Sequence, residues 1–230
     1  MTNPHRSAGR VLHGPAPADA PLVVVAAHGR GQSPDYLVEH LLGPVAARRG
    51  ADDIAWILPA ADDHSWYPLG FLAPLADNQP RLDHALEVLG ELEDELRSIP
   101  GLRVVWAGFS QGACLVAEHL ARRPRRWGGI AVLTGGMIGP PDQALTIDGD
   151  LAGMPALFTN GDEDAWVPLW RTSATADAYR AAGADAQLIV VPGREHEIAP
   201  AEIDAVCALL TRVADAADAP ASPASQRVTS

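Results

Sequence analysis

The segment from Gly108 to Gly112 constrains this chain more than any other, because it reads G-F-S-Q-G between a strand pattern and a helix pattern. An apolar run at 104–107 precedes it, and residues 113–120 follow with helical character. A serine at so sharp a turn has strained backbone and an outward hydroxyl, and only small neighbours allow such close packing. A chance match to a short pattern is the alternative, but the flanking strand and helix favour a nucleophilic Ser110.

Length and hydropathy limit the class of protein. The chain has 230 residues, of which 47% are hydrophobic, and this suits a single α/β domain with one core. It contains no run of about 18 apolar residues, so we expect no membrane span. Residues 1–10 lack the apolar centre of a signal peptide, so we expect a soluble cytoplasmic protein.

The net charge and the residue types present exclude or disfavour several partners and catalytic mechanisms. A net charge of −12 disfavours nucleic acid as a partner. The basic cluster at 122–126 follows a predicted helix, so a solvated surface at the negative helix end is preferred over a phosphate site. All 17 basic residues are arginine, which excludes Schiff-base lysine chemistry and a P-loop lysine. Cys114 and Cys207 lie on apolar helical faces, so buried thiols are expected rather than a disulfide or metal site.

Strand and helix patterns alternate along the chain. The predicted strands are 22–27, 54–58, 103–107, 130–133, 156–159 and 187–191, and the predicted helices are 81–99, 111–123, 170–182, 200–213 and one after Ser33. This order predicts right-handed crossovers and a mostly parallel sheet with helices on both faces. No insertion is long enough to build a large lid domain.

The domain boundaries follow from composition. We expect a single domain over residues 1–213, with residues 1–10 loosely held. Residues 214–230 turn to Ala, Asp, Pro and Ser, so a disordered tail is expected there.

The serine needs a base, and the base needs a carboxylate that fixes its tautomer. In α/β-hydrolases the order along the chain is nucleophile, acid, histidine. Among the eight histidines only His196 lies C-terminal to His119, in the loop before the last predicted helix. A surface histidine is the alternative, but without a rival base we expect His196 to act on Ser110.

The acid should follow an earlier strand. Asp162, Glu163 and Asp164 compete in the loop after residues 156–159. The G-x-x-D spacing from Gly161 favours Asp164, and Asp162 is the alternative.

A tetrahedral oxyanion needs two backbone N–H donors. One follows the nucleophile, at Gln111. The second should come from the glycine-flanked loop after the first predicted strand, so we expect the N–H of Arg30 to supply it. His28, in the same loop, is expected to be structural.

These segments together resemble the carboxylesterase/phospholipase family of α/β-hydrolases, which includes the acyl-protein thioesterases. The likeness spans roughly Leu22 to Leu210. The stretch G-F-S-Q-G-A at 108–113 is its most specific part; weaker parts are H-G-R-G at 28–31, S-W-Y at 65–67, G-D-E-D at 161–164 with V-P at 167–168, and G-R-E-H-E-I at 193–198.

The resemblance implies a serine esterase that acts on carboxylic esters or thioesters and needs no metal or organic cofactor. Dimers are common in the family, so a homodimer is an expectation.

Three positions depart from the family pattern. Family members often have leucine at the position of Arg30, an acidic residue at the position of Pro68 and glycine at the position of Glu195. Arg30 and Pro68 lie near the expected acyl path, which favours small to medium acyl groups over long protein-linked ones. The Arg30 side chain either meets a substrate carboxylate or, as we prefer, points to solvent.

The substrate pocket is expected to have loop walls. Trp66, Tyr67, Leu69 and Phe71 are predicted on one side, with Trp166 beside the acid. These aromatic residues could instead belong to the core.

Three other functions remain open. A dienelactone-hydrolase-like activity is one, although those enzymes usually use a cysteine nucleophile. Lysophospholipase activity is the second. The third is a non-catalytic hydrolase fold that binds a small ligand, since a fold alone does not prove chemistry.

Overall fold

A central seven-stranded sheet organises the structure, a computed structural model that describes residues 2–50 and 52–216. The strands are β1 (Arg10–His13), β2 (Leu22–Ala27), β3 (Ile54–Pro59), β4 (Val104–Phe109), β5 (Gly129–Leu133), β6 (Pro155–Gly161) and β7 (Asp185–Val191). Their spatial order is β1-β3-β2-β4-β5-β6-β7, with β1 antiparallel to β3 and all other neighbours parallel. The carboxyl ends of the parallel strands therefore meet at one edge.

The continuous apolar run of β2 reflects burial on two faces. Val23 and Val25 pack into the hydrophobic cluster on one side of the sheet, and Leu22 and Val24 pack into the cluster on the other side. Each of these side chains is almost completely buried. Burying one such side chain contributes about 1.5–3 kcal/mol, so a polar residue at any of these positions would weaken the sheet.

Helices cover both faces, as the sequence predicted. They are α1 (Pro4–Ala8), α2 (Pro34–Leu37), α3 (Gly43–Arg49), α4 (Arg81–Arg97), α5 (Gln111–Arg122), α6 (Leu169–Ala181) and α7 (Pro200–Asp215), and a π-helical turn, Val38–Leu42, joins α2 to α3. Side chains of α4, α5 and α6 enter one cluster, and those of α2, α3 and α7 enter the other. This is the predicted α/β-hydrolase fold. Within the described chain, residues 134–154 between β5 and β6 form no helix or strand, so no helical lid is built there.

Residues 3–10 contact the rest of the domain in the structure, whereas the sequence led us to expect residues 1–10 to be loosely held. Asn3 caps α1 by accepting the N–H of His5 at 3.0 Å. The buried His5 ring contacts the Trp66 carbonyl oxygen at 3.1 Å and accepts the N–H of Asp62 at 3.0 Å. Strand β1 was also not predicted, because Leu12 is exposed and no alternating pattern marks the strand.

The carboxyl end extends slightly further than predicted. Helix α7 continues to Asp215 rather than ending at 213. The predicted disorder of the remaining tail concerns residues 217–230, which lie outside the described residues. Among the described helices, none combines the length and apolar character needed to cross a membrane.

His5 makes the stability of the fold depend on pH. Burial, together with the nearby positive charge of Arg81, lowers the pKa of His5 from 6.5 to about 4. Since the unfolded chain binds this proton more readily, the stabilisation is complete above about pH 6.5 and is lost as the pH falls towards 4. We expect the urea midpoint to fall between about pH 7 and about pH 5, and to fall less in His5→Gln. Parallel losses in the two proteins would contradict this assignment.

Candidate active site

Ser110 lies at the sharp turn between β4 and α5, at the carboxyl edge of the sheet. Its backbone adopts φ 54° and ψ −118°, a conformation that non-glycine residues rarely adopt. The turn needs glycine on both sides. A Cβ on Gly112 would stand 2.1 Å from the Ala27 carbonyl oxygen, and a Cβ on Gly108 would stand 2.5 Å from the Gly112 carbonyl carbon. These close approaches explain why the G-x-S-x-G pattern lies at this point of the chain.

The structure brings the three predicted catalytic side chains into one line. His196 Nε2 lies 2.8 Å from Ser110 Oγ, and His196 Nδ1 lies 2.8 Å from Asp164 Oδ2. A carboxylate accepts hydrogen bonds, so it fixes the proton on Nδ1 and leaves Nε2 free to accept the serine proton. The arrangement can remove a proton from Ser110 Oγ.

Asp164 and Asp162, the two candidate acids in the loop after β6, have different hydrogen-bond partners. Asp164 Oδ1 accepts the N–H groups of Trp166 at 2.9 Å and Val167 at 2.8 Å, and its side chain is fully buried. Asp162 instead accepts the N–H of Gly193 at 2.7 Å. The alternative acid therefore joins the loop after β6 to the loop that carries His196, and it forms no hydrogen bond or ion pair with the imidazole.

The backbone N–H groups of Arg30 and Gln111 have no acceptor among the described residues. A Cβ on Gly29 would stand 3.2 Å from Ser110 Cβ, so this loop passes directly beside the serine. Gln111 is the first residue of α5, where the helix dipole favours negative charge. The two amides are thus available for an oxyanion.

The Gln111 side chain holds the pocket loop against the nucleophile turn. Its Oε1 accepts the N–H of Trp66 at 3.0 Å, and its Nε2 donates to the Tyr67 carbonyl at 2.8 Å. His28 is buried, accepts the N–H of Ala61 at 3.1 Å, and has a pKa lowered by burial. Its contacts are those of a structural residue in the loop that carries Arg30.

A cavity of about 660 Å³ opens beside Ser110 and His196. Four of the predicted pocket residues line it, namely Tyr67, Leu69, Phe71 and Trp166. Trp66 does not, and its prediction as a lining residue was wrong. Its side chain is fully buried, and its indole N–H donates to the His28 carbonyl at 2.9 Å. Trp66 therefore stabilises the loop that follows β2.

The Arg30 side chain lines this cavity while the residue stays exposed to solvent, as the sequence led us to prefer. Its Nη1 donates to Ser65 Oγ at 3.1 Å and to the Pro68 carbonyl at 2.7 Å, and its Nη2 donates to the Leu69 carbonyl. The guanidinium lies 5.8 Å from the centre of the Tyr67 ring. Arg30 therefore joins its own loop to the loop of residues 65–69.

Cys114 is a second potential nucleophile on the cavity wall. Burial raises the pKa of its thiol to about 12, so it remains protonated and unreactive near neutral pH. In the described part of the chain, no group of three or more His, Cys, Asp or Glu side chains lies close enough to hold a metal ion.

Arg194 is a site residue that the sequence analysis missed, because only its place two residues before His196 marked it. Its side chain is 2% exposed, and its Nη1 donates to the Glu195 carbonyl at 2.7 Å and the Glu197 carbonyl at 2.5 Å. The same nitrogen lies 3.9 Å from Asp164 Oδ2. Arg194 thereby holds the backbone on both sides of His196 by hydrogen bonds and places a positive charge near the carboxylate of Asp164.

A second buried carboxylate faces Arg194. Glu202 Oε2 lies 3.4 Å from Arg194 Nε, and both side chains are almost inaccessible. Burial raises the pKa of Glu202. Removing one partner of such a pair leaves an uncompensated buried charge, whereas removing both charges is far less costly.

Comparisons with known proteins agree with this architecture. A family model described as phospholipase/carboxylesterase matches residues 15–213. A phospholipase/carboxylesterase from Dyadobacter fermentans is 34% identical, with a TM-score of 0.78 over 88% of this chain and 96% of that one. Esterase PE8 is 25% identical, with a TM-score of 0.72 over 90% of this chain and 98% of that one. Acyl-protein thioesterase 1 homolog 1 of Dictyostelium discoideum is 26% identical over 153 residues, which are 64% of this chain and 67% of that protein.

The Arg194 contacts predict a positioning residue. We expect Arg194→Met to lower kcat for p-nitrophenyl butyrate by more than about tenfold with little change in KM, since each lost carbonyl contact loosens the loop that carries His196. The variant should also be less stable, because Glu202 is left unpaired. The double variant Arg194→Met/Glu202→Gln separates the effects: stability should recover while kcat stays low. Recovery of kcat together with stability would show that Arg194 serves only the fold.

Proposed function

Because the chain belongs to the phospholipase/carboxylesterase family of α/β-hydrolases, we propose that it is a serine carboxylesterase that forms an acyl-enzyme on Ser110. Its substrates are small to medium acyl esters, with thioesters as the alternative leaving-group chemistry. The observation that carries the proposal is the hydrogen-bonded line from Ser110 through His196 to Asp164, with 2.8 Å at each step. A hydroxyl paired in this way to an oriented imidazole is the basis of nucleophilic catalysis by serine.

Acylation begins when His196 Nε2 takes the proton of Ser110 Oγ while the oxygen attacks the ester carbonyl carbon. The carbonyl oxygen becomes an oxyanion, and the N–H groups of Arg30 and Gln111 are available to donate to it. Collapse of this intermediate breaks the bond to the leaving oxygen or sulfur. His196 then delivers its proton to the leaving group, and the acyl chain stays on Ser110.

Deacylation repeats the sequence with water. His196 removes a proton from the water, the hydroxide adds to the acyl carbon, and the second oxyanion occupies the same pair of amides. The bond to Ser110 breaks, and His196 returns the proton to the serine oxygen. Asp164 keeps the imidazole oriented in both halves, because its carboxylate accepts the Nδ1 hydrogen throughout.

The cavity supports an acyl group of limited size. Its volume of about 660 Å³ lies within the range of roughly 300–1,000 Å³ that small-molecule sites occupy. Tyr67, Leu69 and Phe71 give it an apolar wall, and Trp166 stands beside the imidazole at 6.3 Å between ring centres. An ester with a modest apolar portion fits this chemistry better than a polar polymer.

Two of the other functions have less support from the site. A dienelactone-hydrolase-like reaction usually uses a cysteine, whereas Ser110 occupies the nucleophile position and the raised pKa of Cys114 keeps that thiol protonated. A non-catalytic binding protein would have no reason to keep the serine, the histidine and the carboxylate in hydrogen-bond contact. The esterase proposal uses every member of this arrangement.

The nucleophile assignment predicts the effect of Ser110→Ala. We expect turnover of p-nitrophenyl acetate and butyrate to fall by about a thousandfold or more, since no other activated nucleophile faces the cavity in the described chain. The thermal midpoint and circular dichroism spectrum should match those of the parent protein. Near-normal hydrolysis by a folded Ser110→Ala protein would refute the proposed function.

The acid assignment predicts a contrast between two neighbouring carboxylates. Asp164→Asn should lower kcat by roughly a thousandfold to ten-thousandfold, because an amide no longer holds the imidazole in the correct tautomer. Asp162→Asn is the matched control, since an amide oxygen can still accept the Gly193 N–H, and its kcat should stay within about tenfold. Equal losses in the two variants would contradict the role of Asp164.

A further inference from the structure

The cavity has one permanently charged side chain on its wall. Among the described residues that line it, Arg30 alone carries a fixed charge, and none carries a carboxylate. Arg30 also forms no ion pair with a carboxylate elsewhere in the described chain. Most of the other arginines that the structure describes do form such pairs. A cation placed without a counterion beside a substrate cavity is available to a ligand.

The guanidinium keeps part of its hydrogen-bonding capacity. Of its five N–H groups, three are directed at Ser65 Oγ and at the carbonyls of Pro68 and Leu69. The Nε–H and one Nη2–H have no acceptor among the described residues. Guanidinium N–H pairs match the two oxygens of a carboxylate, which makes such contacts stronger and more directional than those of a point charge.

The contacts that use the other three N–H groups also fix the guanidinium in place. It is held to the loop from Ser65 to Leu69 and lies over the Tyr67 ring, so a ligand loses little freedom of the arginine side chain on binding. The backbone N–H of Arg30 is one of the two amides proposed for the oxyanion, so in that proposal the free N–H pair lies one arginine side chain away from the reacting carbonyl.

We propose that the Arg30 side chain selects esters that carry a single carboxylate, held by its free N–H groups while the ester carbonyl is at Ser110. The proposal rests on the proposed esterase function and specifies its substrate class. The net charge of −12 disfavours polyanionic substrates, so one negative charge is the best match. The carboxylate belongs either to the acyl chain or to the leaving alcohol, and the two sources are separable by experiment.

Two substrate pairs provide the test. Mono-p-nitrophenyl adipate and p-nitrophenyl hexanoate have the same acyl length and differ by a terminal carboxylate. The ester 4-acetoxybenzoate and its methyl ester place the same difference on the leaving group. The measured quantity is the ratio of kcat/KM for the anionic ester to that for the neutral ester, corrected for spontaneous hydrolysis. In at least one pair the parent protein should prefer the anion, and that pair identifies the side that carries the carboxylate.

Variants at Arg30 change this ratio by a predictable amount. Arg30→Leu should lower it by about tenfold, the size expected for one charge-assisted hydrogen-bonded contact, whatever happens to the absolute rates. Arg30→Lys keeps the charge and should retain part of the preference. Arg126→Leu is the matched control, because it removes a surface cation that pairs with Asp150 near the amino end of β5, far from the cavity. Its ratio should equal that of the parent protein.

Salt dependence gives a second readout. Added NaCl screens both the contact with Arg30 and the repulsion by the net negative charge, so the informative quantity is kcat/KM for the anionic ester in the parent protein divided by that in Arg30→Leu. If Arg30 recognises the carboxylate, this quotient should fall as salt is added. An unchanged ratio in Arg30→Leu, an equal fall in Arg126→Leu, or a quotient of parent to Arg30→Leu that does not fall with salt would each overturn the inference. In those cases Ser110-dependent hydrolysis of the neutral esters would still support the proposed function. If no ester is hydrolysed in a Ser110-dependent way, the proposed function fails and the inference fails with it.

Discussion

The close approach of α5 to the carboxyl ends of β2 and β4 is the constraint on which the site depends. Any side chain at Gly112 would enter the Ala27 carbonyl, and any at Gly108 would enter the backbone of Gly112. This packing forces Ser110 into its strained conformation, which turns the hydroxyl out of the sheet. The two buried hydrophobic clusters of the α/β-hydrolase fold stabilise the strands and helices that impose the strain. The strain at the serine is thus maintained by packing over the whole domain.

The hydrogen-bonded arrangement of Ser110, His196 and Asp164 depends on contacts made by residues around it. The amino-terminal helix supports the pocket loop through His5, which lies against the Trp66 carbonyl. Gln111 ties the same loop to the nucleophile turn. Arg194 grips the backbone on both sides of His196. Three separate segments of the chain therefore position the pocket loop and the base, and a change in any of them should reach the reacting atoms through backbone shifts.

The sequence predicted what depends on periodicity and on strict local geometry. Continuous apolar runs identified the six parallel strands, and the glycine pattern identified Ser110, because few other arrangements tolerate those residues. It did not reveal Arg194, since a buried arginine satisfied by carbonyl oxygens has no sequence pattern of its own. It also misjudged Trp66, because burial of an aromatic residue in a loop depends on the tertiary contacts of its indole N–H. Contacts between distant polar groups needed the structure.

Covalent labelling tests the central proposal, that His196 activates Ser110 as the nucleophile, most directly. Trypsin releases residues 104–122 as one peptide, because the chain has no lysine, and Ser110 is the only hydroxyl side chain in it. After treatment with diethyl p-nitrophenyl phosphate, mass spectrometry should find the diethylphosphoryl group on this peptide. In His196→Gln the labelling should be at least about a hundredfold slower. Labelling confined to another peptide, or an unchanged rate in His196→Gln, would contradict the account.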